Sequence, residues 1–129
     1  MERLLVDAVH FDQVREHGGL VGIRDETALE AALARPRQKR QYDPESDLPA
    51  LAAAYGFGLC RDHPYRDGNK RVAFVVMVVF LELNSLRFEA PERDVVTTML
   101  ALASGHLSES HLAEWLRAHA RRARGRGAV

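Results

Sequence analysis

The chain contains 129 residues, of which 47% are hydrophobic and 28% charged, with 18 basic and 18 acidic side chains. This length and balance fit one folded domain with one core, and they exclude a chain that is disordered over most of its length. The zero net charge removes the general electrostatic argument for nucleic-acid binding. The longest apolar run, residues 72–81, is about half of the roughly 20 residues that a membrane helix requires.

The single cysteine and the N-terminus bear on the compartment in which the protein works. Cys60 has no second cysteine with which to form a disulfide, and no Cys/His cluster has zinc-finger spacing. Asp7 lies where a signal peptide would continue its apolar stretch. We therefore expect a cytoplasmic protein that holds no structural metal, does not enter a membrane and does not bind nucleic acid directly.

Two helices and a long loop are predicted before residue 48. Apolar residues recur at helical spacing from Leu4 to Val14, and Gly18-Gly19 is a helix-ending signal. Asp25 is a typical N-cap for a second helix, which Pro36 is expected to end. The polar, proline-containing stretch 35–47 then predicts the longest and most mobile loop.

A third and a fourth helix are predicted in the middle of the chain. Leu48-Pro49 opens the third, in which Gly56 and Gly58 indicate close packing against a neighbouring helix. In residues 71–83 the valines favour a strand, whereas a run of this length without alternation favours a buried helix. We interpret this run as a central helix that is apolar on nearly all sides and surrounded by the others.

The remaining elements complete an all-α pattern. Asn84-Ser85 ends the central helix, and residues 86–90 predict a short extended piece. Pro91 and the acidic residues after it start a fifth helix that ends near Ser104-Gly105, and Ser108 caps a sixth. The sequence therefore predicts an all-α domain of about six helices around one hydrophobic helix.

The C-terminus is rich in arginine and contains no acidic residue after Trp115. We interpret this stretch as a solvated helix end, which arginines suit electrostatically, that continues into a basic tail. The alternative is a docking site for an acidic partner or RNA. A single domain is predicted over residues 1–124, and residues 125–129 are predicted to be disordered.

Residues 63–71, HPYRDGNKR, contain the residue types of a catalytic site. The proline after His63 disfavours the α region there, so the imidazole should lie at a helix end, free to exchange a proton near neutral pH. Asp67 offers a carboxylate to a hard cation such as Mg²⁺, which proteins usually bind together with nucleotide phosphates.

The start of the central helix predicts an anion site. Gly68-Asn69 places a glycine and a capping amide before the helix, whose free N–H groups and dipole attract anions. Lys70 and Arg71 add two cations at this positive end, where an anion is needed to explain them. A base, a carboxylate and a phosphate cradle within nine residues favour transfer of a phosphorus-centred group from a nucleotide.

Residues 63–71 resemble the signature of the Fic/Doc family, HxFx(D/E)(A/G)N(G/K)R, and Lys70 matches its Doc (death-on-curing) toxin branch. Residues 17–36 are similar to the N-terminal half of Doc-like toxins. The resemblance implies the all-helical Fic fold, with the motif loop before the central helix. It also implies transfer of the γ-phosphate of ATP to a threonine of elongation factor Tu, which stops translation, and inhibition by a Phd-type antitoxin.

The resemblance implies a role for each residue of the motif. His63 would be the general base that takes a proton from the acceptor hydroxyl, and Asp67 would bind Mg²⁺. Asn69 and Arg71 would hold phosphates of ATP, and Gly68 would let the backbone approach them.

Lys70 stands where AMP-transferring members of the family have glycine. Its side chain would crowd the cradle for the α- and β-phosphates and would offer a cation to a nucleotide bound the other way round. Phe74 replaces a second arginine of the AMP-transferring members, so both positions favour phosphoryl transfer. The alternatives are an AMP-transferring Fic enzyme and a non-catalytic Fic scaffold that sequesters a partner.

Four residues outside the proposed chemistry have structural explanations. Tyr65 replaces the usual phenylalanine of the signature, so its hydroxyl needs a partner in the core. His10 and His17 share a face of the first helix and are interpreted as structural or surface residues, and Cys60 as a small buried filler. No intact copy of the self-inhibitory motif (S/T)xxxE(G/N) occurs, so restraint should come from another chain.

The predicted loop 35–47 falls where family members place a flap that docks the target. Its side chains would grip a backbone or an acidic surface, and the alternative is a solvated loop. The candidate docking residues are Arg37, Lys39, Arg40 and Tyr42.

Overall fold

The computed structural model describes residues 1–123, which form six helices and two short strands. In chain order these are α1 (Arg3–His17), α2 (Glu26–Tyr42), α3 (Leu48–Asp62), α4 (Asn69–Leu83), β1 (Leu86–Phe88), α5 (Glu92–Ala103), α6 (Glu109–His119) and β2 (Ala120–Arg122). The predicted all-α class is confirmed. The predicted tail 125–129 lies outside the described residues. No helix in the described range combines the length and apolar character that crossing a membrane requires.

Local capping residues set most helix boundaries where the sequence predicts them. The Asp25 side chain accepts a hydrogen bond from the N–H of Ala28 at 3.0 Å, and Ser108 accepts one from the N–H of His111 at 3.1 Å. Gly18 ends α1 with a φ of 81°, a conformation that glycine adopts without steric cost. Asp47, which was not predicted as a cap, caps α3 by accepting from the N–H of Ala50.

The prediction that Pro36 ends the second helix is wrong. Helix α2 continues to Tyr42, so most of the predicted loop 35–47 is helical. Pro36 removes the hydrogen bond to the carbonyl of Ala32, a loss of about 3 kcal/mol in an isolated helix. Here Leu29, Ala32 and Pro36 are all buried on one face of α2, so the proline ring itself occupies a core position. Burial of this face against α3 offsets the lost hydrogen bond.

The core is built on two helices, α3 and α4. The predicted central helix α4 buries Val72, Ala73, Val76, Met77 and Leu81, as expected. Helix α3 is buried over more of its length, from Leu51 to Gly56 without interruption. It packs against α2, α4 and α6, so it shares the central place that the sequence assigns to α4 alone.

Gly56 and Gly58 explain how α3 fits between its neighbours. A Cβ atom at Gly56 would overlap the side chain of Met77 on α4. A Cβ atom at Gly58 would lie 2.6 Å from Cδ of Arg35 and 3.1 Å from Cα of Ala32, both on α2. The close packing predicted for both glycines is confirmed.

Residues 120–123 differ from the solvated helix end predicted for this stretch. Ala120–Arg122 form strand β2, which pairs antiparallel with β1, with Leu86 opposite Arg122. The N–H of Ala123 also donates to the carbonyl of Ser85 at 2.8 Å. Backbone hydrogen bonds hold this pair, and they depend on a segment more than 30 residues away, so arginine content gives no sign of them.

Arg117, one of the arginines interpreted as solvated, joins two helices. Its Nε and Nη2 donate to the two carboxylate oxygens of Asp47 at 2.7 and 2.9 Å. This guanidinium holds the pKa of Asp47 below its usual value. The side chain therefore connects α6 to the start of α3.

Candidate active site

Residues 63–68 form the turn between α3 and α4, and two buried residues anchor it. Pro64 and Tyr65 are fully buried, whereas His63 and Arg66 on either side are exposed. The Tyr65 ring stacks on the imidazole of His10, with centroids 3.9 Å apart, and its hydroxyl donates to Oδ1 of Asp7 at 2.8 Å. Burial, and then the hydrogen bond to the Asp7 carboxylate, raise the pKa of Tyr65, so the hydroxyl remains a donor. The partner predicted for this hydroxyl is confirmed.

Asn69 closes the turn rather than capping the helix. Its Oδ1 accepts from the N–H of Tyr65 at 2.9 Å, and its Nδ2 donates to the carbonyl of Tyr65 at 2.9 Å. The N-cap of α4 is Gly68, with a φ of 77°, and the prediction of a capping amide at Asn69 is wrong. Because the Tyr65 carbonyl uses one N–H of Nδ2, the second N–H of Nδ2 and the backbone N–H of Asn69 are the donors left to contact a phosphate.

The N-terminus of α4 is strongly electropositive. The first N–H groups of a helix have no partner within the helix, and no side chain of the described residues caps this one. Lys70 and Arg71 lie exposed in this first turn, and neither forms an ion pair with a residue between 1 and 123. An anion at this end would find backbone donors, the helix dipole and two cations together.

Five of the six predicted motif residues line one cavity. Its volume is about 300 Å³, and its walls are His63, Arg66, Asp67, Gly68, Asn69, Lys70 and Ala103. Arg71 lines a second, largely apolar cavity of about 270 Å³ between α4 and α5, to which Lys70 also contributes. The structure therefore brings the imidazole, the carboxylate and the helix N-terminus into one space, with Arg71 beside it.

Asp67 is half-buried and is held by the segment before α2. Its Oδ2 accepts from the backbone N–H of Leu20 at 2.7 Å. A Cβ atom at Gly19, whose φ is 114°, would lie 3.0 Å from Cβ of Asp67, so a glycine is required for this approach. Residues 1–123 contain no group of three or more metal-ligating side chains. A single carboxylate suits Mg²⁺ that is bound mainly by water and phosphate, and it does not suit a metal held by protein ligands alone.

The segment 22–25 lies along the motif turn and was not identified from the sequence as part of the site. The N–H of Arg66 donates to the carbonyl of Gly22 at 3.0 Å, and Ile23 forms a β-bridge with Tyr65. The N–H of Gly22 donates to Nε2 of the buried His10 at 3.2 Å. His10 is therefore structural, as interpreted, and it supports the site from behind. The glycines at 18, 19 and 22, all with positive φ, are the one sequence signal that indicates this packing.

The four predicted docking residues lie elsewhere, on the last two turns of α2. Arg37 and Arg40 are exposed, Tyr42 is 94% exposed, and Lys39 pairs with Glu109 on α6 at 3.3 Å. Lys39 and Tyr42 line a separate cavity of about 730 Å³ between α2 and α6. This cavity is larger than the one at the motif, but it contains no histidine, cysteine or uncapped helix N-terminus. The helical structure overturns the loop predicted for these residues and leaves their docking role a prediction.

Cys60, three residues before His63, takes no part in this chemistry. The side chain is fully buried, and burial raises the pKa of its thiol to about 11. Its interpretation as a small core residue is confirmed.

Known proteins similar to this chain share one family. The model of the Fic/DOC family matches residues 2–81. Protein kinase doc of Escherichia phage P1 is 32% identical over 111 residues, which cover 85% of this chain and 86% of that protein. Toxin Doc of Mycolicibacterium smegmatis is 40% identical over 76 residues, which cover 57% of each. The matched range of the family model includes the whole motif turn.

Proposed function

The chain belongs to the Fic/DOC family, and we propose that it is a Doc-type toxin kinase that transfers the γ-phosphate of ATP to a protein hydroxyl. The observation that carries this proposal is the uncapped N-terminus of α4, which faces the same cavity as the His63 imidazole and the Asp67 carboxylate. These groups supply a phosphate site, a base and a metal ligand within one small volume.

The His63 imidazole is the group in this cavity that can act as general base. It is exposed at the end of α3, so an acceptor hydroxyl can reach it from solvent. The imidazole takes the hydroxyl proton as the oxygen attacks the γ-phosphorus. The bond from that phosphorus to the β–γ bridging oxygen breaks, and ADP leaves with the electron pair.

The N-terminus of α4 is proposed to hold the phosphates. The backbone N–H groups of Asn69, Lys70 and Arg71 point out of the first helical turn, and the two side-chain cations flank them. Asp67 would hold Mg²⁺ together with the phosphates, through the carboxylate oxygen that Leu20 does not bind. Mg²⁺, when bound, would neutralise charge that develops on the phosphate oxygens.

Transfer of AMP is the second candidate, and two residues disfavour it. Lys70 contributes its side chain to the motif cavity, where AMP-transferring members have a glycine. Phe74, at the position of their second arginine, packs edge-on against Phe88, with centroids 5.6 Å apart. Phe74 therefore offers an apolar ring, and no cation, at the position of that second arginine.

The proposal is tested with ATP labelled at different phosphates. Wild type should transfer label from [γ-³²P]ATP to protein in a Mg²⁺-dependent reaction and should transfer none from [α-³²P]ATP. His63→Ala should lower the rate at least about 100-fold, because the general base is lost, with an unchanged melting temperature. His111→Ala, which removes an exposed histidine at the start of α6, is the matched control and should behave as wild type.

Other outcomes identify the alternatives. Label from the α-phosphate would establish AMP transfer. Growth arrest that persists in His63→Ala, with no label transferred by either protein, would identify a non-catalytic scaffold that sequesters its partner.

We propose elongation factor Tu as the first acceptor to test, with a threonine hydroxyl as the phosphorylated group. Support comes from the similarity to Doc-type toxins. The four α2 residues are proposed to dock this acceptor, since three cations and an exposed tyrosine suit an acidic surface. Their combined replacement (Arg37, Lys39 and Arg40 to Gln, Tyr42 to Ser) should raise KM for the acceptor and leave KM for ATP unchanged.

A toxin of this kind needs restraint, and we propose that a Phd-type antitoxin provides it. Because the proposed reaction requires ATP, we propose that the protein works in the cytoplasm. Co-expression with the product of a small neighbouring reading frame should restore growth and abolish γ-phosphate transfer by the purified complex. Growth that remains arrested, with transfer intact, would contradict this partner.

A further inference from the structure

We propose that Arg24 is a positioning residue that holds the backbone of His63 in a left-handed conformation and so directs its imidazole toward the motif cavity. This inference rests on the proposed function, in which His63 is the general base. Arg24 lies outside the motif, and the two residues are 39 positions apart in the sequence.

Arg24 binds three consecutive carbonyl groups of the motif turn. Its Nε donates to the carbonyl of His63 at 2.7 Å, and its Nη2 donates to the carbonyl of Asp62 at 2.9 Å. Its backbone N–H donates to the carbonyl of Pro64 at 2.8 Å. Within the described part of the chain its guanidinium forms no ion pair, so the bonds of this cation go to backbone carbonyls.

His63 needs such a clamp because its backbone conformation is unfavourable. Its φ of 47° and ψ of 55° lie in the left-handed region, which a residue with a Cβ atom enters at a cost of about 1–2 kcal/mol. Among residues 1–123, Ser85 is the one other non-glycine residue with positive φ. The following Pro64 favours an extended conformation at His63, so a free chain would leave the left-handed region.

The chemistry of arginine suits this position. The last carbonyls of a helix lack partners within the helix and carry its negative dipole end, where a cation is favourable. A planar guanidinium can donate in two directions from one rigid group, which an ammonium on a flexible stem cannot reproduce. Both donors therefore fix the direction in which the chain leaves α3, and with it the direction of the His63 side chain.

Because Arg24 is exposed, a positioning role can be distinguished from a contribution to overall stability. The residue and both of its side-chain hydrogen bonds are exposed, and exposed bonds of this kind contribute little to the free energy of unfolding. Loss of the clamp should therefore change the conformation of the turn far more than the melting temperature. A misplacement of about 1 Å in a catalytic group is enough to lower a rate about 100-fold.

The test uses Arg24→Gln, Arg24→Lys and the control Arg15→Gln in the full-length protein. Arg24→Lys keeps the charge but loses the two-directional donor, and Arg15 is an exposed arginine of α1 that pairs with Asp12. We expect kcat for γ-phosphate transfer to fall about 10- to 100-fold in both Arg24 variants, with KM for ATP within twofold of wild type. Arg15→Gln should match wild type in both constants.

A second readout is independent of activity. The backbone Cα and Cβ chemical shifts of His63, measured by NMR, distinguish a left-handed from an extended residue. They should report the left-handed conformation in wild type and Arg15→Gln, and should move toward extended values in both Arg24 variants. Arg24→Lys supplies this measurement if Arg24→Gln does not fold.

The two readouts separate failure of this inference from failure of the proposed function. Shifts of His63 that stay unchanged in the Arg24 variants would overturn the positioning role, as would a changed shift with an unchanged kcat. If no variant, wild type included, transfers phosphate, the proposed function fails. The NMR comparison then decides by itself whether Arg24 holds the turn.

Discussion

The N-termini of α6 and α4 have opposite electrostatic arrangements. Helix α6 begins with a Ser108 cap, and its first residue, Glu109, binds Arg35 and Lys39 of α2. Helix α4 follows Gly68, which offers no capping side chain, and its first turn contains Lys70 and Arg71 and no acid. At α6 side chains of the protein bind or neutralise the N-terminus of the helix. At α4 the N–H groups of the first turn are available to a ligand.

This difference separates a structural helix end from a functional one. A cap and a first-turn acid each stabilise a helix by about 0.5–1 kcal/mol, and two first-turn cations oppose the dipole by a similar amount. The fold thus gives up stability at α4 and keeps it at α6. The arrangement at α4 becomes favourable when an anion such as a phosphate binds there.

Reversal of the charge at α4 should give the largest effect. Lys70→Glu should lower γ-phosphate transfer at least about 100-fold, because an acid replaces a cation at the phosphate site. The same change should raise the free energy of unfolding by about 0.3–1 kcal/mol, because it favours the helix dipole. Labelled ATP measures the first effect, and urea denaturation measures the second.

Arg93→Glu is the matched control for this charge reversal. Arg93 is an exposed cation in the first turn of α5, so the charge change and its position in the helix are the same. Transfer should stay at the wild-type rate. Equal activity of Lys70→Glu and wild type would show that the positive charge at the start of α4 has no role in phosphate transfer.

Removal of the acid at the start of α6 should give a smaller effect. It should lower stability and leave ATP binding unchanged. Glu109→Ala should lower the free energy of unfolding by about 1 kcal/mol, because Arg35 and Lys39 lose their shared partner. KM for ATP should not change, since Glu109 lines a different cavity from the motif. Glu114→Ala, at an exposed position of the same helix, should cost less than about 0.5 kcal/mol. A stability loss at Glu109 no larger than at Glu114 would contradict the structural role of this end.

The smallest effect should be a pH dependence of the free energy of unfolding. It should arise near the start of α4 and not near the start of α6. Burial lowers the pKa of His10, although the carboxylates of Asp7 and Asp67 oppose this shift. Above about pH 6.5, where the unfolded imidazole is also neutral, stability should not depend on His10. Below that pH the unfolded state binds the proton first, so stability should fall as pH decreases toward the folded pKa.

His10→Gln tests this dependence, because a glutamine can accept the hydrogen bond from Gly22 without titrating. The stability difference between wild type and this variant should be constant above about pH 6.5 and should change between pH 6.5 and 5. Hydrogen-exchange protection factors, which are corrected for the intrinsic pH dependence of amide exchange, should fall at residues 20–24 as the pH decreases over that range and should stay unchanged at residues 108–112. A pH-independent difference would show that His10 titrates alike in both states.

The sequence predicts the chemical groups of the site better than it predicts the contacts that hold these groups in place. The types and spacing of His63, Asp67 and Lys70 predict the cavity in which the structure places them. The roles of Asn69 and Arg24 could not be predicted in this way. The Asn69 carboxamide binds the Tyr65 backbone only because the turn folds back on itself, and Arg24 reaches His63 from another part of the chain.

The sequence by itself determined the helical fold class, the capped ends of α2 and α6 and the identity of the motif. These features depend on residues that lie close together in the sequence, the motif spanning residues 63–71, so local patterns reveal them. The tertiary structure alone decided that α2 continues through Pro36, that Ala120–Arg122 pair with β1 and that His63 adopts a left-handed backbone. Each of these has an unfavourable or neutral local preference, which contacts with distant segments outweigh.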